Sequence, residues 1–238
     1  ATDPGGGAGL AADLATLSAL GVHGACVVTA ITVQDTTAVH AIHPLPPDLV
    51  AAQLAAVLDD LPVAVIKTGM LATPEAVVCL SACLKSFSGM VPEEARNQPS
   101  RRTRPLLVVD PVLRASTGAT LADPAVVAAY QQHLLPLATV ITPNEDEFVA
   151  LGRPEQPGVI VTRGGDVATS NDHGTGCTYA SALAAYLAHG ADIPTAAARA
   201  AAYVAQQLRI GTTWQLGRGR GPVAHISTSS TTERGETP

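Results

Sequence analysis

Short runs of valine and isoleucine alternate with longer alanine-rich stretches along most of the chain, and that alternation leaves few folds open. The apolar runs are Ala25–Thr32, Val63–Lys67, Leu106–Asp110, Thr139–Thr142 and Val159–Thr162, each too continuously apolar for a strand with one wet face. Strands of this kind need helices on both sides. The intervening stretches supply them: Ala8–Leu20, Pro47–Asp60, Pro74–Ser86, Ala125–Leu134, Gly174–His189 and Pro194–Leu208. Pro47, Pro74 and Pro194 suit a first helical turn, where a missing N–H leaves no bond unmade. The pattern predicts an α/β fold of three layers, αβα, with a mostly parallel central sheet and helices on both faces.

Each apolar run ends in a polar or glycine cluster: Thr32 and Gln34, Lys67-Thr68-Gly69-Met70, Asp110-Pro111, Thr142-Pro143-Asn144 and Thr162-Arg163-Gly164-Gly165. Ligands of open α/β sheets bind outside the carboxyl ends of the strands, so a small-molecule site is expected there. Nucleic acid is not an expected partner, because the net charge of -6 leaves no cationic excess for a phosphate backbone. Aromatics at 3% leave little for base stacking. No apolar run approaches the roughly 18 residues of a membrane span, so a soluble cytoplasmic protein with no membrane partner is expected. The four cysteines, Cys26, Cys79, Cys83 and Cys177, lack the spacing of a disulfide framework and read as reduced thiols. Ser88–Pro105 and the tail 227–238 are polar and aperiodic and read as mobile surface additions.

Two glycine turns invite chemistry. Asp3–Leu10 (D-P-G-G-G-A-G-L) includes a match to the dinucleotide fingerprint, but no strand precedes it and Asp35 lies late for a ribose contact, which disfavours a dinucleotide. No P-loop motif is present. In H-G-T-G-C-T, residues Gly174, Thr175, Gly176 and Cys177 open an alanine-rich helix, where free N–H groups and the helix dipole favour an anion. The same position is expected to lower the thiol pKa of Cys177 and make it a base or nucleophile. Asn144 and Glu147 (N-x-x-E) read equally as oxygen ligands for hydrated Mg²⁺ and as a helix cap. Asp110 either caps a turn or orients a metal-bound water. Lys67 is an ion-pair partner inside the crevice or a phosphate contact. His40 and His43 read as structural residues in a loop rather than metal ligands.

The first glycine turn with Asp13, V-Q-D-T with Gln34, K-T-G-M-L, V-V-D-P-V, T-P-N-x-x-E and H-G-T-G-C-T, in this order, resemble the hydroxymethylpyrimidine/phosphomethylpyrimidine kinases of thiamine biosynthesis, members of the ribokinase-like superfamily. The resemblance runs from Ala1 to about Ile226 and includes Leu216–His225 (L-G-R-G-R-G-P-V-A-H). It implies one kinase domain over 1–226, ATP and Mg²⁺, a pyrimidine substrate phosphorylated twice, and a homodimer. By the same resemblance Gly7, Asp13, Gln34 and Met70 contact the pyrimidine, and Gly174–Cys177 form the anion hole with Cys177 as base for the hydroxymethyl step. Asn144, Arg163 and Lys67 meet the nucleotide, and Glu147 and Asp110 the metal.

Three departures stand out. Arg163 occupies the place of a family lysine, no strand leads into the first glycine turn, and only short connectors join Leu151 to Val159 and Asp166 to His173. They suggest that segments of the family's domain are missing from this sequence. A vitamin B6 kinase and a non-catalytic pyrimidine-binding relative remain alternatives.

Overall fold

The computed structural model describes residues 1–89 and 104–225; the surface additions expected at 88–105 and 227–238 lie mostly or wholly outside them. Helix α1 (Gly9–Ala19) follows the first glycine turn and leads to a hairpin of β1 (Ala30–Gln34) and β2 (Val39–Pro44). Then come α2 (Pro47–Asp60), β3 (Val65–Thr68), α3 (Pro74–Gly89), β4 (Leu106–Val109), α4 (Pro124–Ala129), β5 (Val140–Ile141), α5 (Glu145–Ala150), α6 (Thr175–Ala188) and α7 (Ile193–Gly211). Strands β3, β4 and β5 form a parallel sheet in that order, while β1 and β2 pair antiparallel.

Successive residues of a strand point to opposite faces, and β4 shows what this builds. Leu107 and Val109 join a core with Leu54 of α2, Leu80 and Leu84 of α3 and Val126 of α4. Val108, between them, joins the opposite core with Leu183 and Leu187 of α6 and Ala196 and Ala200 of α7. Helices therefore cover both faces, as the apolar runs demand. Small residues dominate the second core: Ala180, Ala184, Ala196 and Ala200 are at most 4% exposed and let α6 and α7 pack closely on each other.

Several expectations are corrected. The first run forms a strand only from Ala30, because the Gln53 side chain accepts from the Val28 N–H (3.0 Å) and donates to its carbonyl (3.1 Å), replacing a ladder partner. His40 and His43 lie in β2 rather than a loop. The turn between β1 and β2 closes because Asp35 Oδ1 accepts the N–H groups of Thr37 and Ala38 at 2.8 and 3.0 Å. Val159–Thr162 runs parallel to β5 through isolated bridges at Val159 and Thr162 rather than as a full strand. The helix expected to Leu134 is α-helical only to Ala129 and continues as a π-turn over Tyr130–Leu134, whose Tyr130 hydroxyl donates to the Gly69 carbonyl at 3.2 Å. All four cysteines are free. Among the described residues, no helix is long and apolar enough to cross a membrane.

Candidate active site

The carboxyl ends of β3, β4 and β5 and the start of α6 open on a cavity of about 1640 Å³ that also runs along the free edge of β3, past Leu17, Leu54, Leu58 and Val63, so only part of it lies at the strand ends. It is lined by Asp13, Gln34, Lys67, Met70, Asp110, Asn144, Glu147, Arg163, Gly174, Thr175, Gly176 and Cys177. Gly7 is not among the residues that line it, although Ala8 and Gly9 are. Gly7 is buried where the two glycine turns interlock: a Cβ there would come within 2.5 Å of His173 Cδ2 and 3.0 Å of Pro222 Cβ. Gly174, at φ 86°, sits on the other side of the same contact, where a Cβ would overlap the Gly7 carbonyl.

Asp3, to which sequence reasoning gave no role, holds this junction. Its carboxylate accepts from the N–H of Gly5 (2.9 Å), the N–H of Ala8 (2.8 Å) and His173 Nε2 (2.8 Å). Burial works against its ionisation, but the bonds from His173 and the backbone outweigh burial and hold the carboxyl below its usual range. The D-P-G-G-G sequence, an acid ahead of a glycine turn, was the available signal.

Lys67, at the end of β3, is 2.9 Å from Asp13 Oδ1 and 3.6 Å from Asp110 Oδ2, with its side chain 8% exposed. Burial alone would lower its pKa; Asp13, Cys177 and Asp110 instead push it up. The Ser181 hydroxyl, one turn beyond Cys177 on α6, donates to Asp13 Oδ1 at 2.7 Å. Asp13 therefore spends one oxygen inside the protein. Asp110 Oδ2 has no hydrogen-bond partner, and burial, reinforced by Asp13 and opposed by Lys67, pushes that carboxyl up to about 6.

Cys177 belongs to the same cluster, and its expected pKa shift is reversed. Burial pushes the thiol up to about 12; Lys67 opposes this, but Asp110 and Asp13 add to it. A helix N-terminus lowers a thiol only when stronger local terms do not oppose it. At that terminus Gly174 takes the left-handed N-cap conformation, and Gly176 faces open space.

Both readings of Asn144 and Glu147 meet here. The capping box is complete: Asn144 Oδ1 accepts the Glu147 N–H at 2.9 Å and Glu147 Oε2 accepts the Asn144 N–H at 3.0 Å. Glu147 Oε1 accepts the Leu113 N–H at 3.0 Å, yet burial and the charge of Asp110 push its carboxyl up to about 7. Two buried carboxyls, one with an oxygen that meets only Lys67 at 3.6 Å, are oxygen donors of the kind a hydrated cation takes. Among the described residues no three His, Cys, Asp or Glu side chains group as a metal cage. Arg163 is exposed and bound to Glu145 Oε1 at 2.9 Å, a pairing a phosphate would have to displace. Gln34, turned by a bulge after Val33, donates to Thr32 Oγ1 at 3.0 Å and keeps its carbonyl oxygen for another partner. Met70, 8% exposed, lies at the start of the loop after β3.

Parallel strand ends, the N-terminus of α6, a buried lysine and two raised carboxyls thus meet at one place in the fold, and the comparisons with known proteins give that fold as ribokinase-like. The profile of the phosphomethylpyrimidine kinase family matches residues 3–159 and 154–224, and the chain belongs to that family. It is 36% identical to the hydroxymethylpyrimidine/phosphomethylpyrimidine kinase of Rhizobium meliloti, over 94% of each chain. It is 37% identical to the thiamine biosynthesis bifunctional protein ThiED of Geobacter sulfurreducens, over 94% of this chain and 51% of that one, and so spans about half of the longer protein. The structure of the pyridoxal kinase from Staphylococcus aureus in complex with pyridoxal superposes with a TM-score of 0.77 at 29% identity, covering 97% of this chain and 92% of that one. The Rhizobium alignment runs over 266 positions, more than this chain's 238 residues, so the relative carries positions this chain lacks. The two profile segments overlap at 154–159, within one of the short connectors.

Proposed function

We propose that this kinase transfers the γ-phosphoryl group of Mg-ATP to the hydroxymethyl group of 4-amino-5-hydroxymethyl-2-methylpyrimidine and then a second one to the monophosphate, supplying the diphosphate for thiamine biosynthesis. The observation that carries this reading is the cradle Gly174–Cys177 opening on the same cavity as Gln34, Lys67, Asp110 and Glu147.

Gln34 reads a ring nitrogen and the amino group, having both donors and acceptors. Met70 and the free oxygen of Asp13 line the ring's pocket. Cys177, in its thiolate form, takes the hydroxymethyl proton as the oxygen bonds to the γ-phosphorus and ADP leaves. The N–H groups of Gly176 and Cys177 stabilise charge on the transferring phosphoryl group, and Lys67 keeps the cluster from becoming wholly anionic. Asn144 and Arg163 face the nucleotide phosphates. Asp110 and Glu147 would hold Mg²⁺, which neutralises phosphate charge when bound. One domain over 1–226, a homodimer and a cytoplasmic location complete the reading by family resemblance.

Protons compete with the cation for Asp110 and Glu147. Mg²⁺ binding, measured calorimetrically with a nonhydrolysable ATP analogue, is expected to strengthen as pH rises through about 6 to about 7; a flat profile would remove this pair as ligands. Fold stability has the opposite sign. Raised carboxyls contribute stability that is full below their unfolded values of 3.8 and 4.5 and is lost as pH rises through about 6 and about 7.

A second reading, a pyridoxal kinase, draws on the likeness to the Staphylococcus structure. Gln34→Ala separates the two. Loss of two hydrogen bonds at about 0.5–1.5 kcal/mol each raises the pyrimidine KM by roughly tenfold or more and leaves the ATP KM in place. Wild-type kcat/KM higher on pyridoxal than on the pyrimidine, with Gln34→Ala neutral, would favour the second reading.

A further inference from the structure

Residues Leu216–Gly221 (L-G-R-G-R-G) run across the tip of the β1–β2 hairpin to the loop that leads into α6. Glycine recurs at every second position for a steric reason: a Cβ on Gly217 or Gly219 would overlap Thr36, and one on Gly221 would overlap Asn171. The positions between carry Arg218 and Arg220. Arg218 lies 3.5 Å from Asp35 Oδ2, and Arg220 grips both carboxylate oxygens of Asp172, with Nε to Oδ1 at 2.7 Å. Thr36 accepts three backbone N–H groups from the segment: those of Arg218 and Gly219 at Oγ1 (3.1 and 3.0 Å) and that of Arg220 at the carbonyl (3.0 Å). At the other end Gly221 donates to the Ser170 carbonyl at 3.1 Å and accepts the His173 N–H at 3.0 Å. Asn171, 4% exposed, donates to the carbonyls of Gly211 and Trp214 and fixes the loop from below.

Thr36 stands two residues after Gln34, and His173 immediately precedes Gly174. We propose that Leu216–Gly221 is a strap that holds the substrate-reading hairpin in register with the anion cradle, and that Thr36 is the positioning residue through which it acts. The hairpin has no place in the parallel sheet; its base is tied to Thr2, which bonds Ala30 (3.0 Å) and Thr32 (2.8 and 3.2 Å), and the strap ties its tip. The hydroxymethyl group must reach the phosphoryl group to within a fraction of an ångström, and a misplacement of about 1 Å can cost on the order of a hundredfold in rate. The inference rests on Gln34 reading the pyrimidine, so its test includes a measurement independent of that assignment.

Thr36→Val removes the hydroxyl acceptor at nearly constant volume, and Gly219→Ala disturbs the same contact from the strap. Either is expected to raise the pyrimidine KM roughly tenfold while changing the ATP KM less than about twofold, and Thr36→Ser restores the wild-type value. Amide exchange of hairpin residues 38–43 is expected to quicken about tenfold in Thr36→Val, whatever Gln34 contacts. Unchanged hairpin exchange overturns the strap. If exchange quickens but neither Thr36→Val nor Gln34→Ala moves the pyrimidine KM, the assignment of Gln34 fails while the strap's hold on the hairpin stands. Equal rises in both KM values, or no rescue by serine, would reduce Thr36 to a general stabilising residue and end its positioning role.

Discussion

At alkaline pH, where the thiolate is populated, replacing Cys177 by alanine lowers phosphorylation of the hydroxymethyl group by a factor of about 100 or more, and phosphorylation of the monophosphate by less than about tenfold. A positioned general base contributes on the order of 10²–10⁴ to a proton-transfer step, and only the first acceptor, an alcohol, has a proton to lose. The second acceptor attacks as an ionised phosphate oxygen. The raised thiol adds a second signature. With its pKa pushed up to about 12, Cys177 is mostly protonated at neutral pH, so the first step gains about tenfold per pH unit above the range in which Asp110 and Glu147 titrate. The second step is nearly flat over the same range. Steady-state rates on each pyrimidine across pH check both statements. Equal losses in both steps would make Cys177 part of the cradle's shape rather than its base.

Lys67→Met is the substitution expected to cost the fold most. It leaves the buried Asp110 and the partly buried Asp13 without their cation, and removing one member of a buried pair costs about 3–5 kcal/mol. For a chain of this size that lowers Tm by roughly 6–20 °C in thermal unfolding near neutral pH. Adding Asp13→Asn recovers part of the loss, because the two changes are coupled through one contact of 2.9 Å. The deficit also narrows in acid, where Asp110 takes up a proton as pH falls through about 6. A loss under about 1 kcal/mol would show that water reaches the cluster and screens it.

The order of the motifs was enough to gather Asp13, Gln34, Lys67, Asp110, Glu147 and Cys177 on one cavity, since strand ends and a helix start are local features. What the cluster does to its members was not legible. Asp13, Lys67, Asp110 and Cys177 come from four separate segments, and the thiol shift reverses because of carboxylates that no local pattern places beside it. The contact of Gly7 with His173, far along the chain, is likewise invisible to a local reading. The hairpin is hard to read from sequence because V-H-A-I-H sets Ala41 beside Ile42 and so lacks a clean alternation, and only the Asp35 turn marks its closure. The apolar runs of β4 and β5 are plain because burial on both faces leaves no polar residue inside them, whereas β3 shows only its apolar start before Lys67 and Thr68. The late start of β1 was hidden, since a single glutamine on α2 takes the place of a strand at Val28.

The most direct test is ADP release from Mg-ATP, coupled to a continuous assay, on hydroxymethylpyrimidine, its monophosphate and pyridoxal in parallel. The account predicts turnover of both pyrimidines with higher kcat/KM than pyridoxal. Binding of the pyrimidine without turnover of any of the three would contradict it, and would make the chain a ligand-binding relative whose Arg163, held by Glu145, no longer serves a nucleotide.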